Sequence, residues 1–496
     1  MRITPEAMPL SEAKRKLLEQ SLSHGRTKTA DQSVGIPPRP SGELVPLSLS
    51  QEQLWFRERT TPGIPLLYNE CVTVRMPGSI DVPVLERSLT EIIRRHEIWR
   101  TGYDTRNGQP IQIIQPAPEQ VRLPLLDLRN LPGDRRNAEA LRVISEVVRQ
   151  PFDLKQGPLL RFRLVRMGDF EYRLFLCAHL SVVDGVSVYQ VFPSELAVLY
   201  KAFSSGQSSP LPPLAVQFGD YAYWQRQWLQ GEERAKQLAY WQRQLAGSLP
   251  VLNWPNGPAQ PWASRFRGVL RCSTFPKMLG EKMKELSRRE GATTFTTLAA
   301  GLATLLYCYT GQDDIIVGTP SPSGRKRFEV AKLLGHFLNP VALRFDLSGD
   351  PSFRALLRHT QQLTFEALSH DDLPLEWLAG ETQPATDPVR NPFFRVALSL
   401  QPQMPSLDVG WNVTSMDAGS GGAPWELYIA FISQPGGMAV RVQYNPDLFE
   451  ASAITRMLDD YQRVLAFMCT NPSKRLSQVE LSVGRVARYA GFRRDA

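Results

Sequence analysis

The stretch between residues 170 and 200 holds the residue types best suited to chemistry. Residues 172–178 alternate in the manner of a strand and His179 stands at their end. Leu180-Ser181-Val182-Val183 then leads to Asp184-Gly185. An imidazole at a strand end, followed by a tight Asp-Gly turn, is how a general acid or base is presented to a cleft. The plainer reading is a structural histidine beside an ordinary turn, and the segment taken alone favours it. Ser187-Val188-Tyr189-Gln190 fits a capping box for a helix over 194–203, with Pro193 placed to kink that helix or delay its start.

These residues need a scaffold, and the chain is long enough for two. Its 496 residues exceed what one hydrophobic core usually serves, so two lobes are expected. Dense patterning begins near Val45. Residues 68–74 and 172–178 read as strands, and residues 83–99, 220–245 and 293–309 as helices. Strands and helices alternate without a strict βαβ rhythm, which predicts an α/β or α+β fold. Residues 11–23 carry Leu17, Leu18 and Leu22 at helical spacing with Ser11 as cap, and 24–43 read as a linker. Ser/Gly/Pro-rich stretches at 204–213 and 250–261 are candidate joints. The division predicted is an N-terminal helix and linker over 1–44, lobes over 45–215 and 216–480, and a basic tail over 481–496.

Composition narrows the function classes. With 57 Lys plus Arg against 49 Asp plus Glu the net charge is +8, but the cations are scattered in short groups without a stacking aromatic array. That argues against a nucleic-acid partner. No run approaches the roughly 18–20 apolar residues of a membrane span, and the N-terminus lacks a signal-peptide core. Cys71, Cys177, Cys272, Cys308 and Cys469 are far apart, odd in number and without a CxxC pair. The expectation is a cytoplasmic protein without disulfides, metal or membrane contact.

The segment His179–Gly185 resembles the HHxxxDG motif of condensation domains of non-ribosomal peptide synthetases, and further motifs follow the family order. Residues 47–56 (LSLSQEQLWF) resemble the opening motif and 95–101 (RHEIWRT) resemble RHExLRT. Residues 217–224 (QFGDYAYW) are similar to YxDYAxW, with Phe218 for Tyr. Residues 335–339 (GHFLN) resemble GxFxN, 370–376 (HDDLPLE) the QDxPFE-type motif, and 390–394 (RNPFF) RNPxF. Any one is weak; seven in order, spanning Val45 to about Ser473, are strong.

The resemblance implies two chloramphenicol acetyltransferase-like lobes forming a V-shaped pseudodimer. A central tunnel would admit the phosphopantetheine arms of two carrier proteins. The family reaction is attack of an acceptor amine on a donor thioester. No cofactor is expected on this chain itself, and its partners would be acyl or peptidyl carrier proteins and an amine or aminoacyl acceptor. By motif position Asp184 is a structural anion paired with Arg325, and Ser187 and Asn339 line the tunnel, although Asn339 equally fits satisfying backbone groups. His96 and His370 are read as structural, and Trp55 and Trp224 as core.

The sequence departs from the family where the reaction occurs. In the ungapped register His179 matches the first His, Leu180 replaces the second, and Asp184-Gly185 match the DG. A shifted register makes His179 the second His with one inserted residue; the ungapped one is favoured because an insertion would disturb so tight a turn. The second His is the one the family assigns to the reaction. General acid–base help is typically worth 10²–10⁴-fold, and orientation can contribute more. An α-amine, with a pKa of about 7.7–8, is partly neutral at working pH and can attack a thioester without a strong base, whereas a hydroxyl cannot. Leu180 therefore argues against ester formation more than against amide formation, and the family's heterocyclising subgroup carries Asp where His179 stands. Two functions follow: an acyltransferase-type amide former, or a silent scaffold recruiting a carrier protein or tailoring enzyme. The Met1 start, the basic tail and the lack of adenylation or carrier motifs favour a stand-alone protein.

Overall fold

The computed structural model describes residues 35–60, 67–252, 266–375, 377, 393–414, 418–434 and 436–481. The helix expected over 11–23, much of the two linkers, Arg390 to Pro392 and most of the basic tail lie outside the described residues.

The strands in chain order are β1 (Val45–Pro46), β2 (Asn69–Pro77), β3 (Thr101–Arg106), β4 (Gln109–Ile114), β5 (Leu125–Asp127), β6 (Leu160–Gly168) and β7 (Glu171–His179). There follow β8 (Val269–Pro276), β9 (Asp314–Ser321), β10 (Asn339–Asp346), β11 (Val396–Leu400), β12 (Asn412–Thr414), β13 (Leu427–Gln434) and β14 (Gly437–Tyr444). The first lobe is built on a five-stranded sheet, β12-β2-β7-β6-β5, beside a small sheet β1-β4-β3; the second on a six-stranded sheet, β10-β9-β11-β13-β14-β8. Both large sheets are mixed: β5 runs parallel to β6, and β11 runs parallel to β9 and β13.

The helices are α1 (Leu49–Thr60), α2 (Val82–Arg95), α3 (Gly133–Val148), α4 (Phe192–Ser204), α5 (Phe218–Trp228), α6 (Gly231–Gln244), α7 (Lys277–Arg289), α8 (Thr294–Thr310), α9 (Phe353–Ser369) and α10 (Ala451–Thr470). Their ends follow local chemistry. Asp81 caps α2 by accepting from the Val84 N–H, with Pro83 in the first turn. Thr293 caps α8, and Gly311, in the left-handed region at φ 71°, ends it. The single helix expected over 220–245 is two, because Gly231 takes φ 55° and turns the chain between α5 and α6.

Strand β7 carries the motif to the seam and is buried on both faces. Leu174, Leu176 and Ala178 enter one core with Leu85 and Leu89 of α2 and Leu196 of α4, whereas Phe175 and Cys177 pack with Ile144 and Val148 of α3. Alternation of side chains across the strand produces this split. The lobes do not part at 215/216. Phe218, Tyr221 and Ala222 of α5 belong to the first core, joined by Val330, Leu334, Phe337, Trp411 and Val413 from later in the chain, and Leu49 packs in the second. β12 also hydrogen-bonds to β2. Each lobe completes its apolar core with elements of the other half, so the division follows packing rather than position in the chain.

Two family-motif histidines serve this seam. His96 is buried; its Nε2 lies 2.9 Å from Glu195 and its Nδ1 accepts from the Leu334 N–H at 3.3 Å. His336 donates from Nδ1 to the Val183 carbonyl at 3.2 Å. Burial holds the pKa of His336 down to about 4, against the pull of the Asp184 charge. An unfolded histidine titrates near 6.5. Between those values the unfolded chain binds the extra proton, so this contribution is complete above about pH 6.5 and is lost as pH falls toward 4, by up to about 1.4 kcal/mol per pH unit. Urea unfolding at pH 7 and pH 5 should show a smaller acid loss for His336→Asn than for the natural protein. Equal losses would mean that the folded state protonates His336 freely.

Candidate functional site

The motif loop begins where β7 stops. His179 pairs in register with Asn69, and its N–H donates to the Leu159 carbonyl at 2.9 Å. Its side chain is interior, 1% exposed, with Tyr68 and Phe152 edge-on to the ring. The Ser181 N–H reaches Nδ1 at 3.3 Å, so Nδ1 is an acceptor and also takes the Ser181 hydroxyl hydrogen at 2.7 Å. That leaves the proton on Nε2, directed at Glu58 3.4 Å away. His179 is therefore oriented from both nitrogens and covered. Leu180 donates its N–H to the Tyr68 carbonyl at 2.7 Å, and its half-buried side chain packs against Leu54, Leu67, Tyr68 and Phe266. Leu180 is thus part of an apolar cluster reaching into the second lobe.

Residues 180–182 form one 3₁₀ turn, after which Asp184 takes over. The tight turn expected at Asp184-Gly185 is instead a helix start. Asp184 Oδ1 accepts from the Ser187 N–H at 2.7 Å and its carbonyl from the Val188 N–H, so Asp184 is the cap and the capping box expected over Ser187–Gln190 does not form. The backbone then makes a wide π-type turn over Ser187–Val191 before α4, and Pro193 sits in that helix's first turn. Gly185 lies where a Cβ would come within 2.6 Å of the Gln401 amide oxygen, so the loop approaches the second lobe closely there.

Asp184 and Arg325 form a two-pronged pair, Nε to Oδ2 at 2.7 Å and Nη2 to Oδ1 at 2.8 Å, with side chains 0% and 6% exposed. The remaining guanidinium hydrogens go to the Ser187 hydroxyl and to the carbonyls of Leu333 and Val330, and the Phe337 ring lies 4.5 Å away beneath. Ser187, expected to line a tunnel, is wholly buried: its hydroxyl accepts from the Gly335 N–H and from Arg325 and donates to the Gly335 carbonyl. Gly335 suits this clasp because it takes φ 151° and a Cβ there would meet the Phe218 ring at 2.2 Å. Asn339 is interior too. Its amide donates to the carbonyls of Asp371 and Leu373, while its Oδ1 is buried without a partner. Ser187 thus holds backbone at the seam rather than lining a tunnel, and Asn339 takes the backbone-satisfying role that its position equally allowed.

His370 stacks on Tyr240 at 4.1 Å, and Trp55 and Trp224 are half-buried at the core edge beneath Arg59 and Arg327. Four residues at the site escape sequence reasoning. Glu58 and Ser181 carry no pattern that marks them. Glu70 and Arg441 do carry one, being charges set among the apolar positions of β2 and β14. Burial raises the Glu70 carboxyl above its usual range while the Arg441 charge pulls it down.

Removing one partner of a buried pair leaves the other charge uncompensated. Asp184→Ala should cost about 3–5 kcal/mol in denaturant unfolding, and Asp184→Ala with Arg325→Met should recover part of that loss. Unchanged stability in the single variant would mean that the pair is open to water.

A family model described as the condensation domain matches residues 42–485. The chain is 39% identical over 458 residues, 92% of its length, to a linear gramicidin synthase protein of Brevibacillus parabrevis, of which it spans 6%. It is 33% identical over 90% of its length to phosphinothricin tripeptide synthetase PhsC of Streptomyces viridochromogenes, and spans 41% of that protein. Among solved structures, the X-domain from teicoplanin biosynthesis matches with a TM-score of 0.78 at 25% identity, over 90% of this chain and 100% of that one. The first condensation domain of the calcium-dependent antibiotic synthetase shares the fold with a TM-score of 0.79 at 21% identity, with the same coverage. A family match of this extent and relatives of this identity leave one assignment: the chain belongs to the condensation domains of non-ribosomal peptide synthetases.

Proposed function

We propose that the chain joins a carrier-bound acyl thioester to an amine acceptor, forming an amide by positioning the two rather than by imidazole catalysis. The observation that carries this reading is the completeness of the clasp around Asp184, Arg325, Ser187 and Gly335. The hydrogen bonds that present the motif loop at the seam are all formed, and in this reading Leu180 stands where the family has its second histidine. Identity of 39% to a gramicidin synthase protein supports the same chemistry. Holding two reactants in line can supply more than proton transfer does, and an amine needs less help than a hydroxyl. The partners in this reading are acyl or peptidyl carrier proteins in the cytoplasm, whose phosphopantetheine arms enter a tunnel between the lobes.

A second reading has its own support. Leu180 sits in an apolar cluster, and the X-domain that this chain resembles has been solved in complex with OxyB, at 26% identity to this chain and a TM-score of 0.75. A catalytically silent scaffold that recruits a carrier protein or tailoring enzyme fits those facts.

The readings part in an assay of amide formation from a loaded donor carrier protein and a soluble amine. The natural protein should turn over slowly. Leu180→His should gain rate by at most about 10²–10⁴-fold and lose some stability, because the new imidazole replaces apolar packing. Turnover abolished by His179→Ala would assign the proton transfer to His179 instead. Folded proteins that give no product with cognate carriers would sink the enzyme reading in favour of the scaffold.

A further inference from the structure

Five cysteines scattered through the sequence are all thiols in the structure, and two of them meet. Cys71 of β2 stands directly opposite Cys177 of β7, two pairs along from Asn69 and His179. Both side chains point into the small core that Ile144, Val147 and Val148 of α3 cover, and the two residues are 3% and 0% exposed. Asn69 and His179 share that face, because alternate residues of a strand point the same way. Cys272 of β8 faces Arg441 instead, and Cys308 and Cys469 lie on helices α8 and α10.

The hydrogen-bond phase of the ladder decides whether such a pair can be bridged. The Leu180 N–H donates to the Tyr68 carbonyl, one step beyond Asn69 and His179, whereas the His179 N–H turns the other way, to Leu159 beside β6. Antiparallel pairs alternate between hydrogen-bonded and non-hydrogen-bonded, so Asn69–His179 and Cys71–Cys177 are both of the non-hydrogen-bonded kind. In such pairs the Cα atoms stand about 4.5 Å apart and the Cβ atoms about 4.5–5.5 Å. A disulfide takes Cα separations of about 4.4–6.8 Å and Cβ separations of about 3.5–4.5 Å. Bridging therefore asks the two Cβ atoms to approach by about 1 Å and leaves the strands in register.

We propose that Cys71 and Cys177 are a redox pair, which hydrogen peroxide converts into a cross-strand disulfide that staples the end of β7, where the motif loop begins, to β2. The inference stands whether or not the chain forms amides. The Cys71 sulfur takes one peroxide oxygen and becomes a sulfenic acid; the O–O bond breaks and the other oxygen leaves as water. The Cys177 sulfur then attacks the Cys71 sulfur. The S–S bond forms, the S–O bond breaks, and the hydroxide departs with the Cys177 proton as a second water. Two thiols thus give up two electrons and two protons, and the peroxide takes them. Both thiols are covered, so the oxidant reaches them through local opening of the sheet. Burial pushes the pKa of the Cys177 thiol up to about 12, with the Arg161 charge opposing it. The thiolate is the reactive form, so closure is slow, and a thiol of high pKa is also a poor leaving group when the bond is reduced. The pair therefore responds to sustained oxidation and holds the oxidised form, rather than following brief changes.

The test treats the folded full chain with hydrogen peroxide, unfolds it in an alkylating agent and maps the cysteines by mass spectrometry. The expected result is a linked Cys71–Cys177 peptide, two hydrogens lighter than its reduced parts, with neither cysteine alkylated. Reduction with dithiothreitol before alkylation should return both sites. In urea the oxidised chain should show an unfolding constant roughly 30-fold or more below that of the reduced one, because the link closes a long loop of the unfolded chain. Amide hydrogen exchange should slow over residues 69–71 and 177–180. Cys71→Ala should lose the link and the urea shift, whereas Cys272→Ser should keep both. Alkylation of Cys71 and Cys177 in the peroxide-treated, unfolded natural chain overturns the proposal. So does oxidation of Cys71 that stops at the sulfinic acid, or a link from either residue to a third cysteine.

Discussion

The site depends on one buried ion pair. Asp184 closes the motif loop and Arg325 comes from the later half of the chain, so their contact fixes where that loop meets the second lobe. Taking both charges out of water is expensive, and a pair of this kind adds little net stability over apolar packing. Its effect is specificity: the bidentate geometry admits one relative placement of the loop and Arg325, and a displaced loop would strand a charge in the interior. The Ser187 hydroxyl, the Phe337 N–H and three carbonyl acceptors satisfy what the pair leaves open.

Two of the family motifs touch that loop directly, and others brace the elements around it. Gln51, from the opening motif, donates to the Ser181 carbonyl and to the Tyr103 hydroxyl. Arg39 ties Glu97 of the RHE segment to Asp220 of α5, and Gly335 clasps Ser187. The motifs scattered over three hundred residues are thus chiefly the polar fittings of one seam. Leu180 disturbs none of these bonds, and its backbone N–H reaches Tyr68.

The loop also separates two chemistries. On one side of the sheet His179 is covered and held by Ser181 and Glu58, which suits it to keeping the strand end in place. On the other, Glu70 borders a narrow crevice with Ala178 and Val183, the residues that precede His179 and Asp184.

Much of this was legible in the sequence. The alternation over 172–178, the apolar periodicity of 83–99 and 293–309, and the ordered motifs determined the element types, the family and the pairing of Asp184 with Arg325, because local pattern and motif order do not depend on the rest of the fold. The sequence also favoured the register in which Leu180 replaces the second motif histidine. What it did not determine was which polar groups close on one another. Ser187 read as a cap and lies in a clasp; Asn339 fitted either a tunnel wall or a backbone tie and is the tie; α5 counted with the second lobe and packs in the first. Glu58 reaches His179 across 121 positions of sequence, and Arg441 meets Tyr189 across 252. Such partnerships are set by how two sheets and their helices share apolar cores. Hydrophobic burial has a period that a sequence displays, whereas a hydrogen bond between distant residues has none, so only the tertiary structure decides it.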